Sequence, residues 1–131
     1  MKKILPIFLT LILIVSVFSG CSNTTDDISD KLIGYTWVYE DSREDEYGTI
    51  TTVETLVFHE NGTASRQWKV SAIYSDGRTR AEPPINSEIT WTVSEEGTLT
   101  LRYSLGSDPI NCHLSSNGTL LDVDNDIYVR Q

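Results

Sequence analysis

Two hydrophobic patterns divide the chain. The first is a nearly unbroken apolar run from Ile4 to Phe18 behind Lys2 and Lys3. The second starts at Tyr35, where apolar and polar residues begin to alternate at every second position. Successive strand side chains point to opposite faces, so a period of two marks strands that bury one face. Tyr35, Trp37 and Tyr39 against Thr36, Val38 and Glu40 predict a first strand. Ile89-Trp91-Val93, Leu99-Leu101-Tyr103 and Ile110-Cys112-Leu114 predict three more. Two longer strands over Thr49–His59 and Thr63–Ser75, and two short ones over Thr119–Val123 and Ile127–Arg130, complete a set of eight. Residues 22–30 (SNTTDDISD) are polar and acidic and read as a tether. Ile28, Lys31, Leu32 and Ile33, closed by Gly34, predict a single helical turn capped by Thr25 or Asp26. With no helical spacing after Gly34, the fold class is all-β.

One turn pattern recurs three times: Phe58-His-Glu-Asn-Gly-Thr-Ala64, Val93-Ser-Glu-Glu-Gly-Thr-Leu99 and Leu114-Ser-Ser-Asn-Gly-Thr-Leu120. A three-residue hairpin loop with a left-handed glycine in third place pairs Phe58 with Ala64, Val93 with Leu99 and Leu114 with Leu120. A two-residue loop would set apolar beside polar on both faces. Eight consecutive antiparallel strands, each with one apolar face, close most economically into an up-and-down barrel, which also removes exposed edges. In that topology the three glycine turns share one pinched end, and the helical turn can cap it. The other end is a mouth lined by Asp41–Gly48, the long segment Ser75–Ser87 with Pro83-Pro84, Gly106–Pro109 and Asp124–Asp126.

The apolar run at the start is too short to span a hydrocarbon core of roughly 30 Å and contains Pro6, so residues 1–20 are expected to be a cleavable export signal. Phe18-Ser19-Gly20-Cys21 resembles the lipobox of bacterial lipoproteins. The resemblance implies cleavage before Cys21, acylation of that cysteine and a lipidated tether over residues 21–31. It places the protein in a bacterial cell envelope, anchored to a membrane, with Ser22 pointing to the outer membrane where the host has one. Two or more acyl chains anchor stably where one does not. Cys112 then has no intrachain partner and reads as a small buried apolar side chain. The alternative is a secreted protein with a Cys21–Cys112 disulfide.

Composition narrows the partners. The chain of 131 residues carries 10 Lys and Arg against 19 Asp and Glu, a net charge of -9, and loss of the leader removes two of the positive charges. So acidic a surface repels phosphate backbones, which excludes nucleic acid. A hydrophobic content of 39%, with three Trp and six Tyr, is enough to fold one small domain over residues 32–131.

Three segments, Leu32-Ile33-Gly34-Tyr35-Thr36-Trp37, Thr55-Leu56-Val57-Phe58 running into Glu60-Asn61-Gly62-Thr63, and Gly97-Thr98-Leu99-Thr100-Leu101, resemble the lipocalin-like domains of bacterial lipoproteins. The resemblance implies a barrel that binds a small hydrophobic or amphipathic molecule. An eight-stranded barrel encloses little more than its own side chains, so a filled barrel serving as an envelope interaction or inhibitor module is the alternative.

The hairpin register places Glu54 and Arg66 on the inner face with Ile50, Leu56, Phe58, Trp68 and Val70. A charge inside an apolar barrel needs a partner, so these two are expected to pair with each other or with the polar end of a ligand, unless a bulge turns one outward. Trp37, Glu54, Arg66, Trp68, Trp91 and Tyr103 are the expected ligand-binding residues. Asp122-Val-Asp124-Asn-Asp126 opens like a calcium loop but has Ile127 where glycine is required, so Asp124-Asn125 reads as a hairpin turn and no metal is expected. The acidic run Glu40–Glu46 reads as a solvated mouth loop that disfavours anions. His59 and His113 lie apart on turn and outer-face positions, and no nucleophile motif or phosphate loop is present. The chain therefore reads as a binding protein without cofactor rather than an enzyme.

Overall fold

The computed structural model describes residues 24–104 and 106–131. It consists of a helix α1 (Thr24–Leu32) followed by nine strands. These are β1 (Thr36–Asp45), β2 (Gly48–Phe58), β3 (Thr63–Tyr74), β4 (Thr79–Ala81), β5 (Ile85–Val93), β6 (Leu99–Arg102), β7 (Ile110–Leu114), β8 (Leu120–Val123) and β9 (Asp126–Arg130). All strand pairings are antiparallel. β3 divides its edge, pairing with β5 through Thr63–Trp68 and with β4 through Ser71–Ile73. β9 returns to β1 through Trp37↔Arg130 and Val38↔Val129, which closes an eight-stranded up-and-down barrel with β4 as an outlying ninth strand.

Two of the three glycine turns have the expected register, Phe58↔Ala64 and Val93↔Leu99. Gly62 and Gly97 take φ of 81° and 87°, the left-handed conformation this loop demands. The third turn differs by one residue, since Leu114 pairs with Leu121 instead of Leu120. The cause is local: the Ser115 hydroxyl oxygen accepts from the Thr119 and Leu120 amides, and the Ser115 amide donates to the Leu120 carbonyl, so one more residue is taken into the loop. The slip reverses the facing of β8, leaving Leu121 fully buried and Leu120 43% exposed. Leu121→Ala is therefore expected to cost about 2–5 kcal/mol and Leu120→Ala no more than about 0.5 kcal/mol, measured by urea unfolding. Equal costs would restore the simpler register.

The core fills the pinched half of the barrel. Trp37, Leu56, Phe58, Ala64, Ile89, Trp91, Leu99, Leu101, Leu121, Val123 and Tyr128 are buried there with Leu32 of α1. Phe58 and Trp91 meet edge to face, with ring centroids 5.6 Å apart. The Trp91 indole N–H donates to the His59 and Thr63 carbonyls, folding the first glycine turn over β5.

α1 closes this end. It covers most of the stretch read as tether and turn, because Asp26 and Asp27 favour its N-terminus, Lys31 its C-terminus, and Lys31 bonds Asp27 at 2.9 Å one turn away. Ile28 and Leu32 share its inner face and pack on the core. The helix reaches all three glycine turns. Thr25 donates to the Ser94 carbonyl, Ile33 just beyond the helix bridges to Phe58, and the Lys31 stem lies so close over Gly118 that an added Cβ would sit 3.2 Å from it.

The opposite end departs from the expected loops. The acidic segment Glu40–Glu46 is not a mouth loop: β1 continues through it to Asp45, paired residue by residue with β2 up to Gly48. The β-formers Thr49, Thr51, Thr52 and Val53 opposite carry the ladder where the apolar alternation of β1 has ended, and Ser42 hydrogen-bonds Thr51 across it at 2.9 Å. Ser75–Ser87 also contains structure. A fourth glycine turn, Ser75-Asp-Gly-Arg78, reverses the chain into β4, and β5 begins at Ile85 just past the prolines. The distal halves of β1, β2 and β3, with β4, thus form a sheet extension beyond the barrel rim. Asp124 and Asn125, with φ of 54° and 72°, make the tight last turn as expected.

Candidate functional site at the barrel mouth

The inward faces of the strands that pass the rim border a cavity of about 530 Å³, open to solvent, above the packed half. β1 contributes Tyr39, Asp41, Arg43 and Asp45, β2 contributes Ile50, Thr52 and Glu54, β3 contributes Arg66 and Trp68, and β9 contributes Asp126. Every second residue of each strand appears, which is the pleat at work. Continuation of β1 and β2 beyond the barrel is what gives this cavity its wall.

Glu54 and Arg66 form its floor. They sit diagonally across the β2–β3 hairpin, since Leu56 pairs with Arg66 and Glu54 with Trp68. Arg66 Nε donates to Glu54 Oε1 at 2.6 Å and Nη2 to Oε2 at 3.1 Å, a two-pronged pair that fits the guanidinium fork. Glu54 is 8% exposed. No bulge turns either residue outward, so both occupy the inner face. The Arg66 guanidinium also lies 5.0 Å from the Tyr103 ring centroid. Its hydrogen bond to Glu54 raises the Arg66 pKa further, so the cation is permanently present and already matched.

Two tyrosines lie between floor and core. Burial, then the Glu54 carboxylate, push Tyr103 up to about 12. The same causes, burial first, raise Tyr128 further, and its ring stacks at a tilt 5.6 Å from that of Tyr39. Both hydroxyls therefore stay protonated at neutral pH and remain able to donate. Tyr39 is also raised, by desolvation and then by Asp126 beside it. At the rim Arg43 bonds Asp41 at 3.1 Å, and Asp45 Oδ1 accepts the Tyr47 and Gly48 amides of the β1–β2 turn.

The structure thus brings together four of the six residues singled out from the sequence: Glu54, Arg66 and Trp68 line the cavity and Tyr103 supports it from below. Trp37 and Trp91 do not line it. They lie in the packed half, where Trp37 donates its indole N–H to the Leu32 carbonyl at 3.2 Å. Sequence reasoning placed Asp41, Arg43, Asp45 and Asp126 at the mouth but as loop and turn residues, because it ended the first strand at Glu40, and it did not single out Tyr39 or Thr52 within the expected strands. The available signal was parity, since Asp41 and Arg43 continue the Tyr35-Trp37-Tyr39 series. Cys21, the expected lipidation site, lies outside the described residues.

Cys112 faces the interior between Leu99 and Val123. Burial, then Asp122, push its thiol up to about 12 from an ordinary 9.0. Native protein at pH 8 should therefore be alkylated by iodoacetamide far more slowly than urea-unfolded protein. Because the folded state holds this proton and that of Tyr103 more tightly than the unfolded chain, stability should fall as pH rises from about 9 to 12. Fast stoichiometric labelling of the native thiol, or a flat alkaline stability profile, would contradict this placement.

Comparison of the chain with protein-family models, curated proteins and solved structures gives no match. What fold and site define together is an eight-stranded barrel plugged at one end and carrying an ionic and aromatic cavity at the other.

Proposed function

We propose that this protein is a lipid-anchored lipoprotein of the bacterial cell envelope whose lipocalin-like barrel binds a small amphipathic molecule at its mouth. The observation that carries the binding reading is the cavity of about 530 Å³, a ligand-sized volume with apolar surface from Ile50 and Trp68 and a few convergent polar groups. A binding role rather than catalysis is supported because, among the described residues, the one buried carboxylate, Glu54, is engaged by Arg66 on both oxygens. The lipobox resemblance of Phe18–Cys21 supports the anchor. α1 begins at Thr24 against the plugged end, so only Ser22 and Asn23 separate it from Cys21, a reach of at most about 11 Å. An acylated Cys21 then holds the plugged end to the membrane and turns the mouth away from it.

Native mass spectrometry of protein purified from its host should show a bound species of fixed mass that Trp68→Ala depletes, together with acyl chains on Cys21. Repeated recovery of empty protein would count against the ligand, and an unmodified Cys21 would count against the anchor. A second reading, an envelope protein-interaction or inhibitor module, is favoured by the sheet extension, where Tyr47 is 69% and Ile73 58% exposed. On that reading Tyr47→Ser with Ile73→Ser abolishes capture of an envelope partner without changing the melting temperature.

A further inference from the structure

We propose that the ligand of the mouth cavity is a cation, an amphipathic molecule with an ammonium or comparable positively charged head; this rests on the ligand-binding reading above. The argument begins with what each charge in the cavity is already doing. Arg66 is the residue that would hold an acidic head, and it is bonded at two points to a carboxylate that is itself buried. An anion at the free N–H edge of that guanidinium would gain little, because the buried Glu54 carboxylate already balances its charge and would repel a second negative group. The other cation, Arg43, is bonded to Asp41 and stands largely in solvent, where screening weakens it. Both positive charges are therefore matched within the cavity wall.

The negative charges are not. Once Glu54 and Asp41 are assigned to their arginines, Asp45 and Asp126 remain on the same lining. Asp126 leads β9 into the barrel at the edge of the cavity, beside Tyr39 and two residues before the buried Tyr128. The aromatic residues of the same lining are Tyr39 and Trp68, and rings of this kind attract a positive head through their quadrupole. Ile50 and Trp68 supply apolar wall for the remainder of the molecule. A cationic head at Asp126 beside the Tyr39 ring, with its apolar part against Trp68 and Ile50, meets a carboxylate that has no cationic partner among the described residues and leaves both arginine pairs in place. The net charge of -9 adds a long-range field of the same sign.

The test is a calorimetric titration of the full chain with three probes of matched ring and size: benzyltrimethylammonium, benzyl alcohol and phenylacetate. The cation is expected to bind at least about tenfold more tightly than either other probe, with an affinity that falls as salt is raised. Asp126→Asn should remove that preference while leaving benzyl alcohol unchanged, and Trp68→Leu should weaken all three, with near-ultraviolet circular dichroism confirming that both variants fold. If benzyl alcohol or phenylacetate matches the cation, the charge assignment is overturned while the amphiphile reading stands. If none of the three binds at about 10 mM, far weaker than a specific site requires, the cation assignment also fails. A bound species in the native mass spectrum then decides separately whether the cavity binds anything.

Discussion

Replacing Arg66 with methionine is expected to destabilise the barrel by about 2–4 kcal/mol in urea unfolding, although methionine nearly matches the arginine stem in volume. The loss is electrostatic. Glu54, at 8% exposure, would lose both of its bonds to Arg66, and breaking a buried pair by removing one partner costs about 3–5 kcal/mol when the site is fully dry. The open cavity above, through which water reaches the exposed quarter of the Arg66 side chain, brings the figure toward the lower end. Removing both charges with Glu54→Gln and Arg66→Met should recover most of the loss, because a floor without an unmatched ion needs no counter-ion. A double-mutant cycle measures the difference directly. Additive single effects would mean that the pair contributes nothing as a pair, and the ionic floor would be incidental to the fold.

The largest loss is expected at Trp37. This residue is fully buried where α1 meets the barrel, and its indole N–H satisfies the Leu32 carbonyl at the end of the helix. Trp37→Ala removes the ring at about 3–5 kcal/mol and leaves that carbonyl buried without its donor, a further 1–3 kcal/mol or so. The sum rivals the whole stability of a small domain, about 5–15 kcal/mol, so the variant should lack a cooperative thermal transition and its near-ultraviolet circular dichroism. Trp37→Phe keeps most of the ring but not the donor and should fold with reduced stability. Trp68→Ala, at the mouth, should cost far less. A Trp37→Ala protein melting like wild type would show that the helix and pinched end do not hold the barrel shut.

These two positions also mark how far the sequence could be read. Trp37 lies in a run of strict alternation, and the register that puts Glu54 and Arg66 on one face follows from the glycine turn between them. Strand facing outside β8, barrel closure and the plugged end were legible because all three rest on parity and turn chemistry, which are local. The third turn escaped because a serine hydroxyl competed for backbone donors, and Ser115-Ser116 gives no hint of which serine will do so. The β1 extension escaped for a different reason. Glu40–Asp45 has no apolar alternation of its own and is held by the threonines of β2 opposite, a cross-strand effect that reading along the chain does not reveal. Since that extension supplies Asp41, Arg43 and Asp45 to the cavity, the floor of the site could be foreseen, whereas its rim was legible only as a loop at the mouth and not as a strand wall.

The seam between β1 and β9 has a consequence for how the ring is assembled. Every other junction of the barrel joins strands that follow closely in the chain, and these hairpins can zip as soon as their turns form. The joint at Trp37↔Arg130 and Val38↔Val129 unites the first strand with the last and rests on two residue pairs. Contacts of such long sequence separation form late, after the chain entropy of the intervening loop has been surrendered. Until β9 arrives, the free edge of β1 stays bare, and the like charges of its acidic half, which β9 does not pair even in the closed ring, deter the edges of neighbouring copies from joining there first.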